Sequence, residues 1–292
     1  MAYLKMHCGI VVRCGFAARI LEGTLHPMRN VRMEVTYDGS QFFGWQRQDG
    51  FETVQQALEE GLVSLLGQSY CVQGAGRTDT GVHALAQVGH CHLDTPLDDD
   101  RLRHAWNAHL GDGVVINRLE TCPDDFHSRF SARGKRYLYV TSTTRFRSPI
   151  GRAHSHWTNR PLDLVAMRQA GALLVGRHDF VAFSNSGSPR SSTVRTVRSL
   201  HILARQNAFG LVVEGDGFLY NMVRTLAGTL LAVGRGRIGL ERIERALSDG
   251  NRLDAGPTAP ACGLYLLRVL YPEPIFVGRD RGVVGAPGLF QV

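Results

Sequence analysis

The sequence predicts an α+β protein of two similar halves, each mixing strands with helices packed on one side, and three observations carry that reading. Apolar and polar residues alternate over Val31–Tyr37 and again over KRYLYVTST, which is the period of a half-buried strand. A helical stripe fills the stretch between Thr53 and Gly67. Beyond about residue 150 the same mixture of patterns starts again, without the regular order of a repeated βαβ array.

The elements follow in order. The strand over Val31–Tyr37 ends in a turn at Asp38-Gly39. In ETVQQALEEGLVSLLG, Thr53 and Gln56 have capping-box spacing, Val54, Ala57, Leu58, Leu62, Leu65 and Leu66 keep one face, and Gly67 stands at the end. Strand-like segments are expected over Tyr70–Gln73, Gln87–Leu93 and Val114–Leu119, with a helix over Asp99–Leu110. KRYLYVTST supplies the next strand. The second half is expected to hold a helix over Leu162–Val175, strands over Val194–Leu203 and Gly210–Gly215, a helix over Leu219–Val233 and a shorter one over Leu240–Leu247. Residues 1–28 share none of this periodicity and read as a loose extension. The halves are then 29–150 and 151–277, joined near Pro149–Pro161, with a loose glycine-rich tail over 278–292.

At 292 residues and 43% hydrophobic content, the chain is long enough for one large core or two modest ones. A net charge of +7 favours anionic partners, nucleic acid first among them. All but two of the 33 basic residues are arginine, the exceptions being Lys5 and Lys135. Arginine suits phosphate and base recognition, and a coding bias gives the same count. The cysteines at 8, 14, 71, 91, 122 and 262 form no C-x-x-C pair or disulfide framework, so a reducing, cytoplasmic setting is expected. Arg13 and Arg19 interrupt the apolar runs of the first residues, and no segment is long enough to span a bilayer, so no signal peptide or membrane partner is expected.

GAGRTDTGVHA, residues 74–84, concentrates chemistry among turn-forming residues. Gly74, Gly76 and Gly81 loosen the backbone, Thr78 and Thr80 can hydrogen-bond locally, and the loop presents Asp79. Arg77 lies two residues away, which suits either a surface ion pair or an aspartate kept ionised as nucleophile or base. D-T-G also matches the aspartic-protease signature, but no second D-[ST]-G exists to share the proton. His90 and His92 face the same way on a strand, but without a partner at recognisable spacing no metal is expected. His83 reads as a residue that orders the loop or contacts RNA. In FHSRFSARGKRYLYV, basic residues at 129, 133, 135 and 136 interleave with aromatics at 126, 130, 137 and 139, as in surfaces that hold phosphates and stack bases. An ordinary strand behind a basic loop has the same pattern. Arg224 sits within the apolar run of GFLYNMVRTLAGTLLAVGRGR, where it is costly unless it snorkels to the surface or a buried anion meets it.

Taken together with YDGSQFFGWQRQ, GRHDFVAF and APACGLYL, these blocks, in this order between about Val31 and Leu270, resemble the TruA family of tRNA pseudouridine synthases. The resemblance implies the pseudouridine synthase fold, in which antiparallel sheets join into one extended sheet with helices on one side and an RNA-binding cleft on the other. It implies Asp79 as nucleophile, Tyr137 as the ring stacked on the target uracil, Arg224 as the partner of Asp79, Arg77 as a residue positioning flipped RNA, and Leu264 as the apolar residue closing the pocket. His83 and Arg129 are further expected substrate contacts. The implied reaction converts uridine to pseudouridine at positions 38–40 of the tRNA anticodon stem-loop, without a cofactor or metal, in a homodimer gripping tRNA. An inactive tRNA-binding or RNA-chaperone relative is the alternative. Family members usually start near the position of Met28, so the amino-terminal extension departs from the pattern.

Overall fold

The computed structural model describes residues 27–185 and 192–276. The expected extension over 1–28 lies outside them except for residues 27 and 28, and the expected tail over 278–292 lies wholly outside.

The first half opens with strand β1 (Arg29–Tyr37), whose buried residues Val31, Met33, Val35 and Tyr37 are those the alternation selects. Helix α1 (Val54–Leu66) begins where the Thr53 hydroxyl accepts the Gln56 N–H, and it ends on Gly67 at φ +74°. The short strand β2 (Gln73–Gly74) leads through a loop to β3 (His83–Leu93), followed by α2 (Asp99–Asn107) and β4 (Val114–Thr121). Helix α2 is capped by Asp98, and its Trp106 indole N–H donates to the Leu58 carbonyl, locking it to α1. Strand β5 (Gly134–Ser142) and the two-residue β6 (His156–Trp157) lead to α3 (Leu164–Leu173), which is capped by Asp163. Then come β7 (Gly176–Asp179), β8 (Val194–Arg205), β9 (Ala208–Gly215), α4 (Met222–Gly234), α5 (Leu240–Ser248) and β10 (Leu264–Leu270).

The strands form one extended mixed sheet in the order β4-β1-β3-β10-β5-β9-β8-β7, with β2 beside β3 and β6 beside β5. This is the expected α+β class with a continuous sheet. The last strand is the joint: β10 runs antiparallel to β5 and parallel to β3, so the carboxy-terminal residues stitch the centre of the sheet. Sequence reading identified its GLYL residues only as a motif, because Leu264, Tyr265 and Leu266 are buried on both faces and leave no alternation to see.

The sheet's two faces differ. Val35, Tyr139, Val213 and Leu266 belong to a large core that includes buried residues of α1 through α5. A small cluster made of Leu85, Leu138, Val140, Ala208, Val212 and Tyr265 occupies the opposite face. One detail of the expected architecture differs. Tyr137 and Leu264, the expected cleft residues, share the helix-bearing face, because residues two apart on β5 point the same way and Tyr139 packs into that core.

Element boundaries also shift. Tyr70–Gln73 is not a strand, since only Gln73 and Gly74 pair with β3, and the Val72 N–H goes to the Glu59 carboxylate of α1 instead of a sheet neighbour. Strand β3 starts four residues before the expected Gln87, and α4 starts at Met222 rather than Leu219. Among the described residues no helix is long and apolar enough to cross a membrane. The described cysteines Cys71, Cys91, Cys122 and Cys262 are free thiols.

Candidate active-site cleft

The loop between β2 and β3 is held from several sides. Gln87 donates its amide to the Gly76 carbonyl at 2.8 Å, the Trp45 N–H donates to the Thr78 carbonyl at 3.1 Å, and the Tyr37 and Thr78 hydroxyls share a hydrogen bond of 2.8 Å. Gly44, at φ +89°, lets its segment approach, because a Cβ there would stand 2.6 Å from the Thr78 carbonyl oxygen. The Val82 N–H closes a tight turn onto the Asp79 carbonyl, with Gly81 at φ +78°. The backbone on both sides of Asp79 is thus fixed, which leaves its side chain as the presented group.

That side chain meets Arg224. One terminal nitrogen of the guanidinium donates to Asp79 Oδ2 at 3.1 Å and to Asn221 Oδ1 at 2.8 Å, while Arg224 Nε donates to the Ala259 carbonyl at 2.8 Å. Asn221, at φ +60°, precedes α4, so Arg224 lies in the first turn of that helix. The two charged side chains are 19% and 24% exposed, so the pair sits at the cleft wall rather than in bulk solvent. The positive end of the helix favours an anion at this place as well.

The cleft encloses about 1430 Å³, more than a typical small-molecule site, and is lined by residues from both halves, including Trp45, Asp79, Tyr137, Phe218, Arg224 and Leu264. Tyr137 is buried, with its ring edge-on to Phe218 at 5.3 Å. Burial, reinforced by Tyr37 and Asp79, pushes the pKa of its hydroxyl up, so the group stays protonated. The Tyr137 hydroxyl makes no hydrogen bond to the described residues and is free to meet a ligand. Leu264, the first residue of β10, is buried beside it in the cleft wall.

Of the other expected contacts, Arg77 is exposed and lines the cleft, but its Nε donates to Gln46 Oε1, and Asp79 pairs across the cleft with Arg224 rather than with this neighbour. Arg129 lines the rim, with its guanidinium 5.5 Å from the Phe130 ring centre. His83 is elsewhere: it is buried at the start of β3 and stacked on Tyr265 and His154. It is not among the residues lining the cleft. Nδ1 accepts the Gly39 N–H at 3.1 Å, which leaves Nε2 to donate to the Ala153 carbonyl at 2.9 Å. Burial lowers its pKa, opposed by Asp38, and the neutral ring joins the loop before β6 to the turn after β1.

Asp38, His83 and His154 bring ligand-type atoms within 4.8 Å of one another, a metal-like grouping that the sequence did not signal. Both ring nitrogens of His83 are already used by backbone groups, and Asp38 Oδ1 accepts from the Ser40 N–H and hydroxyl. The grouping is therefore a satisfied hydrogen-bond cluster. Of His90 and His92, the pair considered for metal from the sequence, His90 is bound to the Ser128 hydroxyl at 3.0 Å.

Sequence reading missed Lys135 and Phe218 as individual cleft residues. The parity of β5 is the signal that separates them: Lys135 and Tyr137 share the cleft face, while Arg136 points the other way and pairs with Glu214.

A family model described as tRNA pseudouridine synthase matches residues 33–131 and 170–272. The tRNA pseudouridine synthase A of Thermoanaerobacter sp. (strain X514) is 41% identical over 244 residues, covering 84% of this chain and 100% of that protein. Those of Syntrophotalea carbinolica and Neisseria meningitidis serogroup B are 43% and 41% identical, covering 84% and 85% of this chain and 97% and 94% of those proteins. With the family model matching more than half of the chain and these relatives at about 40% identity over most of it, the chain belongs to the TruA family of tRNA pseudouridine synthases, a family of isomerases.

Proposed function

We propose that this protein isomerises uridine to pseudouridine in tRNA, with Asp79 as the nucleophile and with positions 38–40 of the anticodon arm as the target. The observation that carries the reading is the Asp79–Arg224 pair, a carboxylate fixed by its loop, facing an arginine, and opening onto a cleft with an aromatic floor. In the reaction the N1–C1′ bond breaks, the detached uracil turns, and a C5–C1′ bond forms. The C5 proton is lost and N1 gains one, so the overall change is a balanced isomerisation that needs no oxidant or reductant. Attack at C1′, attack at ring C6 and abstraction of a ribose proton all need an oriented carboxylate, which the hydrogen bond from Arg224 holds in place.

Tyr137 and Phe218 suit the base, because a nucleotide drawn out of its stack recovers part of the lost stacking on an aromatic platform. Arg77 and Arg129 on the rim suit the flanking phosphates. Leu264 closes the apolar side. The protein is read as a homodimer in which two subunits grip one tRNA, and sedimentation at micromolar concentration tests this, a monomer refuting it.

Mapping pseudouridine in tRNA from a strain lacking this protein tests the assignment. Loss at positions 38–40 that is restored by the wild-type chain supports it. Loss at other positions with the anticodon arm unchanged refutes the target. The alternative, an RNA-binding relative without activity, predicts no change in pseudouridine anywhere.

A further inference from the structure

Lys135 is the one lysine among the described residues of a chain whose other basic groups there are arginines and histidines. It stands on the cleft floor, two residues before Tyr137 on the same strand face, half-buried and packed against the catalytic loop. Its Nζ lies 2.9 Å from where a Cβ at Gly76 would be, three residues from Asp79. No hydrogen bond or ion pair to the described residues engages it. Asp79 is the one carboxylate among the described cleft-lining residues, and Arg224 occupies it. A sequestered ammonium with no anion to face is unfavourable unless a ligand supplies one.

We propose that Lys135 is a phosphate anchor in the cleft floor, its ammonium holding a backbone phosphate next to the flipped-out uridine; this rests on the proposed reaction. A phosphate held at this point adds binding next to the reacting nucleotide that is made equally before and during the reaction. Gly76 leaves room for the ammonium at its present position, since a Cβ there would stand 2.9 Å from Lys135 Nζ and the lysine would have to shift.

The surroundings add a pH signature. Burial, with Arg129 as a second cause, lowers the pKa of Lys135 to about 8. The charged and titratable groups lining the cleft are His127 and Arg129 from the segment before β5, Cys71 from the segment before β2, Arg77 and Asp79 from the loop, Tyr137 on β5, and Arg195, Tyr220 and Arg224 from the second half. The neighbouring strands place the uncharged Gly215 and Val269 beside it. The ammonium is complete below that pKa and is lost as pH rises through it, so the lysine's share of RNA affinity falls above about pH 8.

The test is a cycle between protein and RNA. Wild type and Lys135→Met are assayed on tRNA whose two phosphates flanking the isomerised uridine are native or replaced by neutral methylphosphonates. The expected result is a rise in KM of about tenfold for Lys135→Met on native tRNA with kcat changed less than about threefold, and a mutational effect below about twofold on the neutralised tRNA. A tenfold loss that persists on neutralised tRNA, or no loss on native tRNA, overturns the proposal. Lys135→Arg provides the second readout, because it keeps a cation that does not titrate. The wild-type Kd for tRNA should weaken between pH 7 and 9 more than that of Lys135→Arg, and parallel profiles overturn the proposal even where Lys135→Met fails to fold. Absence of uridine isomerisation by the wild type would overturn the reaction itself, whereas an active wild type with an additive cycle overturns the lysine's role alone.

Discussion

Replacing Arg224 by methionine removes the guanidinium while keeping an unbranched apolar side chain of comparable length in the first turn of α4. The contact it deletes is a charge-assisted bond of 3.1 Å to Asp79 between side chains only 19% and 24% exposed. At a charge separation of about 4 Å and an effective dielectric near 20, the Coulomb attraction is about 4 kcal/mol. Solvent at the open side of the cleft screens part of it, leaving about 2–3 kcal/mol, in line with hydrogen bonds to charged groups. If that energy orients the carboxylate for reaction, each 1.36 kcal/mol is a factor of ten, so kcat falls about 100-fold. The assay is single-turnover release of tritium from C5-labelled uridine in tRNA, with KM for tRNA expected to change less than about threefold. Folding is slightly weakened, because the Ala259 carbonyl and Asn221 Oδ1 lose the donor that Arg224 supplies, about 1 kcal/mol or a shift of about 2–4 °C in Tm. A folded Arg224→Met variant with near-normal kcat would refute the reasoning, since it would make the pair incidental to the chemistry.

Tyr137→Phe keeps the ring against Phe218 and deletes only a protonated hydroxyl, so full activity would make the tyrosine a platform alone, while a large loss of kcat with unchanged tRNA binding assigns the hydroxyl to proton transfer. Gly44→Ala places a methyl 2.6 Å from the Thr78 carbonyl at a backbone angle unsuited to alanine, so it should cost about 1–3 kcal/mol in denaturant unfolding and lower kcat by displacing the Asp79 loop; unaltered stability and turnover would show that the loop tolerates the shift.

How much could be read beforehand depended on whether the signal was local. Helix α1 was legible to its ends because Thr53 and Gly67 carry the capping chemistry within the segment. Strand β1 was legible because one face meets the core and the other carries Arg32 and Glu34. The role of β10 was hidden, since its place between β3 and β5 depends on partners more than a hundred residues away. Arg224 stood out because an arginine amid apolar residues demands an explanation, and the structure supplies Asp79. His83 was legible only in part. Its place in a glycine-rich loop suited either ordering the loop or contacting RNA; it begins β3, and its two nitrogens are taken by backbone groups on the far face of the sheet, which fits the ordering role and not the contact.

The central claim is that Asp79 does chemistry rather than hold RNA, and Asp79→Asn tests it most directly when tritium release and tRNA affinity are measured on the same preparation. The amide matches the carboxylate in size and can still accept a hydrogen bond from Arg224, so the loop and its backbone bonds should persist. The account predicts no detectable tritium release or pseudouridine, with Kd for tRNA within about tenfold of wild type, because most of the affinity comes from phosphate contacts elsewhere. Turnover by Asp79→Asn at a rate near wild type, with tRNA still bound, would contradict it.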